Sequence, residues 1–189
     1  PEYRTRYRVR RELRGHKAAD VLPKITAWVA NLDKKEADYE HHVLEALWVS
    51  WGLNKVDQKL LNQLLQAKDY HVRAAAVRVL RYTGHQVKNQ AALLAKAVED
   101  EHGRVRMEAF VAASWLPKET ALPILDLAKK HPLDPWMEKP HEIAVAHASG
   151  INVVRKKEAP LVSTLKGKDL ELFTEGQKWY AKEGYCNTC

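Results

Sequence analysis

Cysteine is nearly absent. The chain of 189 residues holds two, Cys186 and Cys189, both within its last four positions. Two thiols alone cannot complete a four-cysteine zinc site, which needs a second ligand pair. Long apolar runs are missing as well. No stretch approaches the ~18 residues of a membrane span, and no positively charged n-region precedes an apolar one, so the sequence holds neither a span nor a signal peptide within these boundaries. Strand alternation is also lacking, and there is no Gly-rich phosphate loop, no G-x-S-x-G and no recognisable pair of carboxylates. The body therefore offers no catalytic constellation and no metal set.

What is present is helix after helix. With 46% hydrophobic residues, the chain can bury one substantial core or an extended repeat array with a tail. Capping signals punctuate it. Asp38 precedes a segment ending at Gly52, Asp57 precedes Leu60-Leu61-Asn62-Gln63-Leu64-Leu65, and Asp69 precedes a segment ending at Gly84. The spacing predicts helices of about 10 to 15 residues joined by short links, and hence antiparallel neighbours.

An internal echo carries more weight than any single helix. Val72-Arg73-Ala74-Ala75-Ala76 and Val105-Arg106-Met107-Glu108-Ala109 repeat V-R-x-x-A at a period of 33, and a looser copy starts at His42-Val43. Small residues at Ala76 and Ala109 suit close helix contacts in a stack. The pattern resembles HEAT and armadillo-like repeats, in which an acid before the helix and an arginine within it form a ladder between repeats. Asp69 with Arg73, and Asp100 with Arg104 or Arg106, match it. The expected fold is all-α: a HEAT/armadillo-like α-α superhelix of antiparallel helix pairs over residues 1–150, then a connector over 151–169 and a C-terminal helical segment over 170–189.

The net charge of +7 is concentrated at the N-terminus, where Arg4, Arg6, Arg8, Arg10, Arg11 and Arg14 crowd one predicted helix. Such a helix can meet nucleic-acid phosphates, an acidic lipid surface or an acidic neighbouring domain, or its arginines can simply pair with carboxylates elsewhere in the chain. The histidines read as structural. His141 and His147 are six apart and project about 120° from one another on a helix, unlike the i, i+4 pair of H-E-x-x-H, while adjacent His41 and His42 leave at most one facing inward near Trp48 or Trp51. Trp48, Trp51 and Trp115 fall on apolar helical faces and read as core. Pro132 to Pro140 reads as a rigid loop, and residues 159–165 as a short helix in the connector.

The C-terminus carries the most specific chemistry. Leu172, Phe173, Gly176, Trp179 and Tyr180 share one helical face ahead of Gly184, and Cys186-Asn187-Thr188-Cys189 follows. The c-type haem motif C-x-x-C-H uses two cysteines as thioether sulfurs and the next histidine as the iron's proximal ligand. The segment resembles the first helix of a small cytochrome c domain cut one residue before that histidine. A thioredoxin-like redox pair, half of a zinc site and two plain surface thiols are the other readings of the pair.

Taken in order, Tyr3 to Leu13, His41 to Trp48, Arg73 to Leu80, Asp100 to Arg106 and the C-x-x-C resemble one region of large exported proteins of planctomycetes and their relatives. In those a sugar-dehydrogenase-like β-propeller is followed by HEAT-like helices and a haem-binding C-x-x-C-H domain. The resemblance implies a non-catalytic scaffold in an exported, periplasmic parent, a haem-c-dependent dehydrogenase, with the propeller and cytochrome c domains as partners. Haem c would be carried covalently by Cys186 and Cys189 only in a longer chain that includes the histidine. The alternative function is a free-standing basic HEAT-like module binding a protein or nucleic acid. Nucleic acid is the less favoured partner, because the excess charge sits at one end and does not recur once per repeat.

Overall fold

The computed structural model describes residues 2–133, 135–151 and 165–182, with side chains in the last stretch described as far as Gly176. Contacts divide the chain into two units, Pro1–Asn152 and Val153–Cys189. Among the described residues there are ten α-helices and no strand.

Nine helices build the first unit: α1 (Tyr3–Arg14), α2 (Ala18–Ala30), α3 (Tyr39–Gly52), α4 (Gln58–Leu64), α5 (Tyr70–Thr83), α6 (Gln90–Val98), α7 (Gly103–Ala113), α8 (Lys118–Asp126) and α9 (Pro135–Ala148). The odd-numbered helices lie side by side from α1 to α9. The even ones fill a second row, with α2 on α3, α4 against α3 and α5, α6 on α7 and α8, and α8 on α9. Eight helices thus precede residue 131 in the expected stacked arrangement. The links between them are short enough to make successive helices antiparallel.

The caps explain several boundaries. The Asp57 carboxylate accepts from the N–H groups of Lys59 (2.9 Å) and Leu60 (3.1 Å), and that of Asp69 from His71 (2.8 Å). Asp38 precedes α3 without making a side-chain cap. At α7 the cap is His102, whose Nδ1 accepts from the N–H of Arg104 at 3.2 Å. Asp100, two residues earlier, accepts from the His102 N–H at 2.8 Å. Three helices are shorter than the caps alone suggest, α4 with seven residues and α6 and α8 with nine each. Burial of residues such as Leu61, Leu64, Leu94 and Leu125 sustains them where local propensity would not.

The core is continuous from α3 to α9. Ala76 on α5 and Ala109 on α7 have no exposure at all, and the two helices that carry them lie against each other. Arg73 is buried too, as the tie between two repeats. Its Nε and Nη2 donate to the two Asp100 oxygens at 2.8 and 2.9 Å, while its Nη1 reaches back to the carbonyls of Ala67 (2.8 Å) and Lys68 (3.0 Å). Arg106 repeats the second half of this pattern with the carbonyls of Asp100 (2.8 Å) and Glu101 (3.0 Å). The ladder therefore runs from the arginine to the acid of the following repeat. Pairing of Asp100 with the side chain of Arg104 or Arg106 does not occur, because Arg104 turns to Glu108 (3.0 Å).

Two further expectations are corrected. Residues 135–140 of the stretch read as a loop are helical, whereas Pro132 and Leu133 are not: Pro135 opens α9 at the first helical position, where its missing N–H costs nothing, and Pro140 is carried inside the helix. Met137 of this stretch is buried against Arg106 and Gly103. Trp115 is not core either; it follows α7 and is 63% exposed.

The second unit contains α10 (Lys168–Lys182), which spans the predicted amphipathic segment. Leu172 and Phe173 are exposed on it, and none of the described residues lies within 4 Å of a Cβ placed on Gly176. Residues 159–164 of the expected short helix, together with Gly184, Cys186 and Cys189, lie outside the described residues, and Leu165 is not helical.

Candidate functional site

The basic N-terminal helix does not stand free in solvent. Its register divides the six arginines between two faces. Arg4 and Arg8 are exposed on the outside, whereas Arg6 and Arg10, one turn apart, face α3 and meet Glu45. Arg10 Nη1 donates to Glu45 Oε2 at 2.9 Å, and Arg6 Nε lies 3.3 Å from Oε1. His41, one turn before Glu45 on α3, brings Nε2 to 3.4 Å from the same Oε1. The carboxylate side chain keeps only 13% of its exposure. No residue of α1 is fully buried, so α1 is held largely by charge and by the Arg10 guanidinium, which sits 4.8 Å over the Trp48 ring.

This docking leaves a groove of about 680 Å³ between α1, α3 and α5. Tyr3, Tyr7, Arg11 and Arg14 form the α1 wall, Trp48 and Trp51 the floor, and Ala75 with Arg78 the α5 wall. Gly52 lies where the Arg14 stem crosses the end of α3; a Cβ there would come within 2.8 Å of Arg14 Cγ.

The aromatic surface continues beyond the groove. Trp51 stacks on Tyr82 with centroids 5.5 Å apart and planes at 16°. The Arg81 guanidinium then lies 5.1 Å over Tyr82 and 5.5 Å over Trp115, whose ring in turn meets His147 at 4.7 Å. Tyr82 and Trp115 occupy the same register, ten residues after Val72 and Val105. That repeat in the sequence is the signal by which this strip could have been found.

The four histidines weighed as candidate ligands have structural settings. His41 meets Trp48 edge-on and His42 approaches Trp28, so the adjacent pair serves different neighbours. His141 Nε2 lies 2.9 Å from the Leu125 carbonyl, and His147 Nδ1 lies 2.9 Å from that of Ser114. On the α5 side, Arg78 pairs with Glu108, which holds the guanidinium charged beyond its ordinary range. Asp100 does the same for Arg73 through its hydrogen bonds.

Residues 58–135 match the HEAT-repeat family. The matched stretch runs from α4 to the start of α9 and contains both arms of the Arg73–Asp100 tie. No curated protein and no solved structure matches the chain. The groove lies toward the N-terminal side of the matched repeats, at α1 and α3, and only α5 is shared between the two.

Proposed function

We propose that this HEAT-like stack is a rigid, non-catalytic scaffold within a larger exported oxidoreductase, holding a dehydrogenase-like propeller in fixed relation to a cytochrome c domain. The supporting observation is the unbroken core from α3 to α9, tied between repeats by a buried, bidentate arginine. A buried tie between successive repeats opposes their separation, and electron transfer needs fixed geometry because tunnelling falls steeply with distance.

In the same reading Cys186 and Cys189 are the haem attachment pair. The chemistry of the donor set suits it: two thiols separated by two residues supply two thioether sulfurs, and the imidazole would come from a histidine following Cys189. Haem bound there would supply one-electron redox chemistry. The exposed Leu172 and Phe173, and the space beside Gly176 that none of the described residues fills, agree with a helix that packs on further haem-domain structure.

The test is a haem-stained denaturing gel of the chain extended past Cys189 by a histidine and the remainder of a cytochrome c domain, secreted with cytochrome c maturation machinery. A stained band is expected, and it should vanish in Cys186→Ala/Cys189→Ala. An unstained band beside a well-matured control cytochrome would return the pair to ordinary thiols.

A further inference from the structure

The groove between α1, α3 and α5 has a charge and shape of its own. It presents Arg6, Arg10, Arg11, Arg14 and Arg78 against one lining carboxylate, Glu45. Glu45 is already engaged by Arg6 and Arg10, and Arg78 by Glu108. Among the described residues neither Arg11 nor Arg14 has a carboxylate in ion-pair range; Arg11 rests 5.9 Å over the Tyr7 ring. These two guanidiniums stand along one wall above a floor of Trp48 and Trp51. An occupant must therefore supply carboxylates to the wall and apolar surface to the floor.

We propose that this groove binds an acidic segment of a partner polypeptide, lying along α1 with its carboxylates on Arg11 and Arg14 and an apolar side chain over Trp51 and Ala75. The α1 wall has 12 residues and is about 18 Å long, room for about five or six extended residues. Planar guanidiniums take carboxylates in bidentate fashion. A nucleic-acid track fits less well. It needs cations recurring along the stack, yet Glu108 holds both Arg78 and Arg104, and of the arginines named on this face past the groove only Arg81, stacked on Tyr82 and Trp115, has no carboxylate among the described residues. The inference does not rest on the haem reading, since every residue in it belongs to the first unit.

The experiment is fluorescence anisotropy of the full chain with a labelled peptide alternating Asp/Glu with Leu or Phe, alongside a basic peptide of matched length and single-stranded and duplex oligonucleotides. Saturable binding of the acidic peptide alone is expected, weakening at least about tenfold in Arg11→Ala/Arg14→Ala and less than about twofold in Arg4→Ala/Arg8→Ala, which removes equal charge from the outer face. Circular dichroism checks that both variants keep their helices. Acrylamide quenching of a full-length variant in which Trp28, Trp115, Trp136 and Trp179 are replaced by Phe, so that Trp48 and Trp51 alone emit, gives a second readout, and the acidic peptide should shield them. Equal losses in the two double variants would reduce the effect to bulk charge and overturn the proposal. So would tighter binding of an oligonucleotide than of the peptide, unshielded tryptophans at saturation, or no saturation by the acidic peptide.

Discussion

Arg73→Ala tests the physical account of the stack most sharply. The substitution deletes the two bonds to Asp100, a 3.2 Å contact to Glu101 and both donations to the Ala67 and Lys68 carbonyls. Removing one member of a buried ion pair costs about 3–5 kcal/mol, because the other is left uncompensated. The Asp100 side chain keeps 13% exposure and Glu101 86%, so water entering the space relieves the orphaned carboxylate and lowers the expected loss to about 2–4 kcal/mol. Arg73→Lys keeps the charge but not the fork that serves Asp100 and two carbonyls at once, and should lose about 1–2 kcal/mol. Urea denaturation followed by far-ultraviolet circular dichroism and by tryptophan emission reads these values. A double-mutant cycle with Asp100→Asn should give a coupling of about 1–3 kcal/mol. A loss in Arg73→Ala within about 0.5 kcal/mol of the unaltered chain, as for an ordinary surface change, would refute the tie.

Three other outcomes are expected. Ala76→Leu forces a larger side chain into a site with no exposure and should cost about 1–3 kcal/mol in the same melts; a neutral result would mean that α5 and α7 do not pack there. Glu45→Gln removes the only lining carboxylate from between Arg6 and Arg10, so amide exchange in α1 should quicken by about tenfold while α5 and α7 keep their protection; uniform protection throughout would contradict docking by charge. Burial pushes the Asp69 carboxyl up, but hydrogen bonds from the His71 backbone and ring, with the nearby Arg73 charge, outweigh it and hold the group below its ordinary value. The stability it contributes is therefore present above the ordinary carboxylate range and lost as pH falls through the lowered folded value, so the ~1 kcal/mol deficit of Asp69→Ala at neutral pH should shrink on strong acidification, which acid-series denaturant melts can read.

Sequence by itself determined the helical class, the repeat and much of the punctuation. Period, caps and small inner residues are local properties, and Asp57, Asp69, Ala76 and Ala109 do in three dimensions what their spacing says. Their physics needs only the helix geometry that every chain shares. Tertiary structure decided the partnerships. Arg73 lies four residues from Asp69 yet bonds Asp100 at a separation of 27, because stacking brings the following repeat's loop to its guanidinium. Pro135 and Pro140 read as loop formers, but α9 carries both, with Met137 between them buried against Arg106 and Gly103. Trp115, which reads as core, is turned outward at the end of α7. The division of the N-terminal arginines into an outer pair and a groove wall depends on Glu45, His41 and Trp48, which lie some 30 or more residues away. A charge count along the chain gives the size of the excess; only the docking of α1 on α3 decides which of those charges are spent internally and which still face a partner.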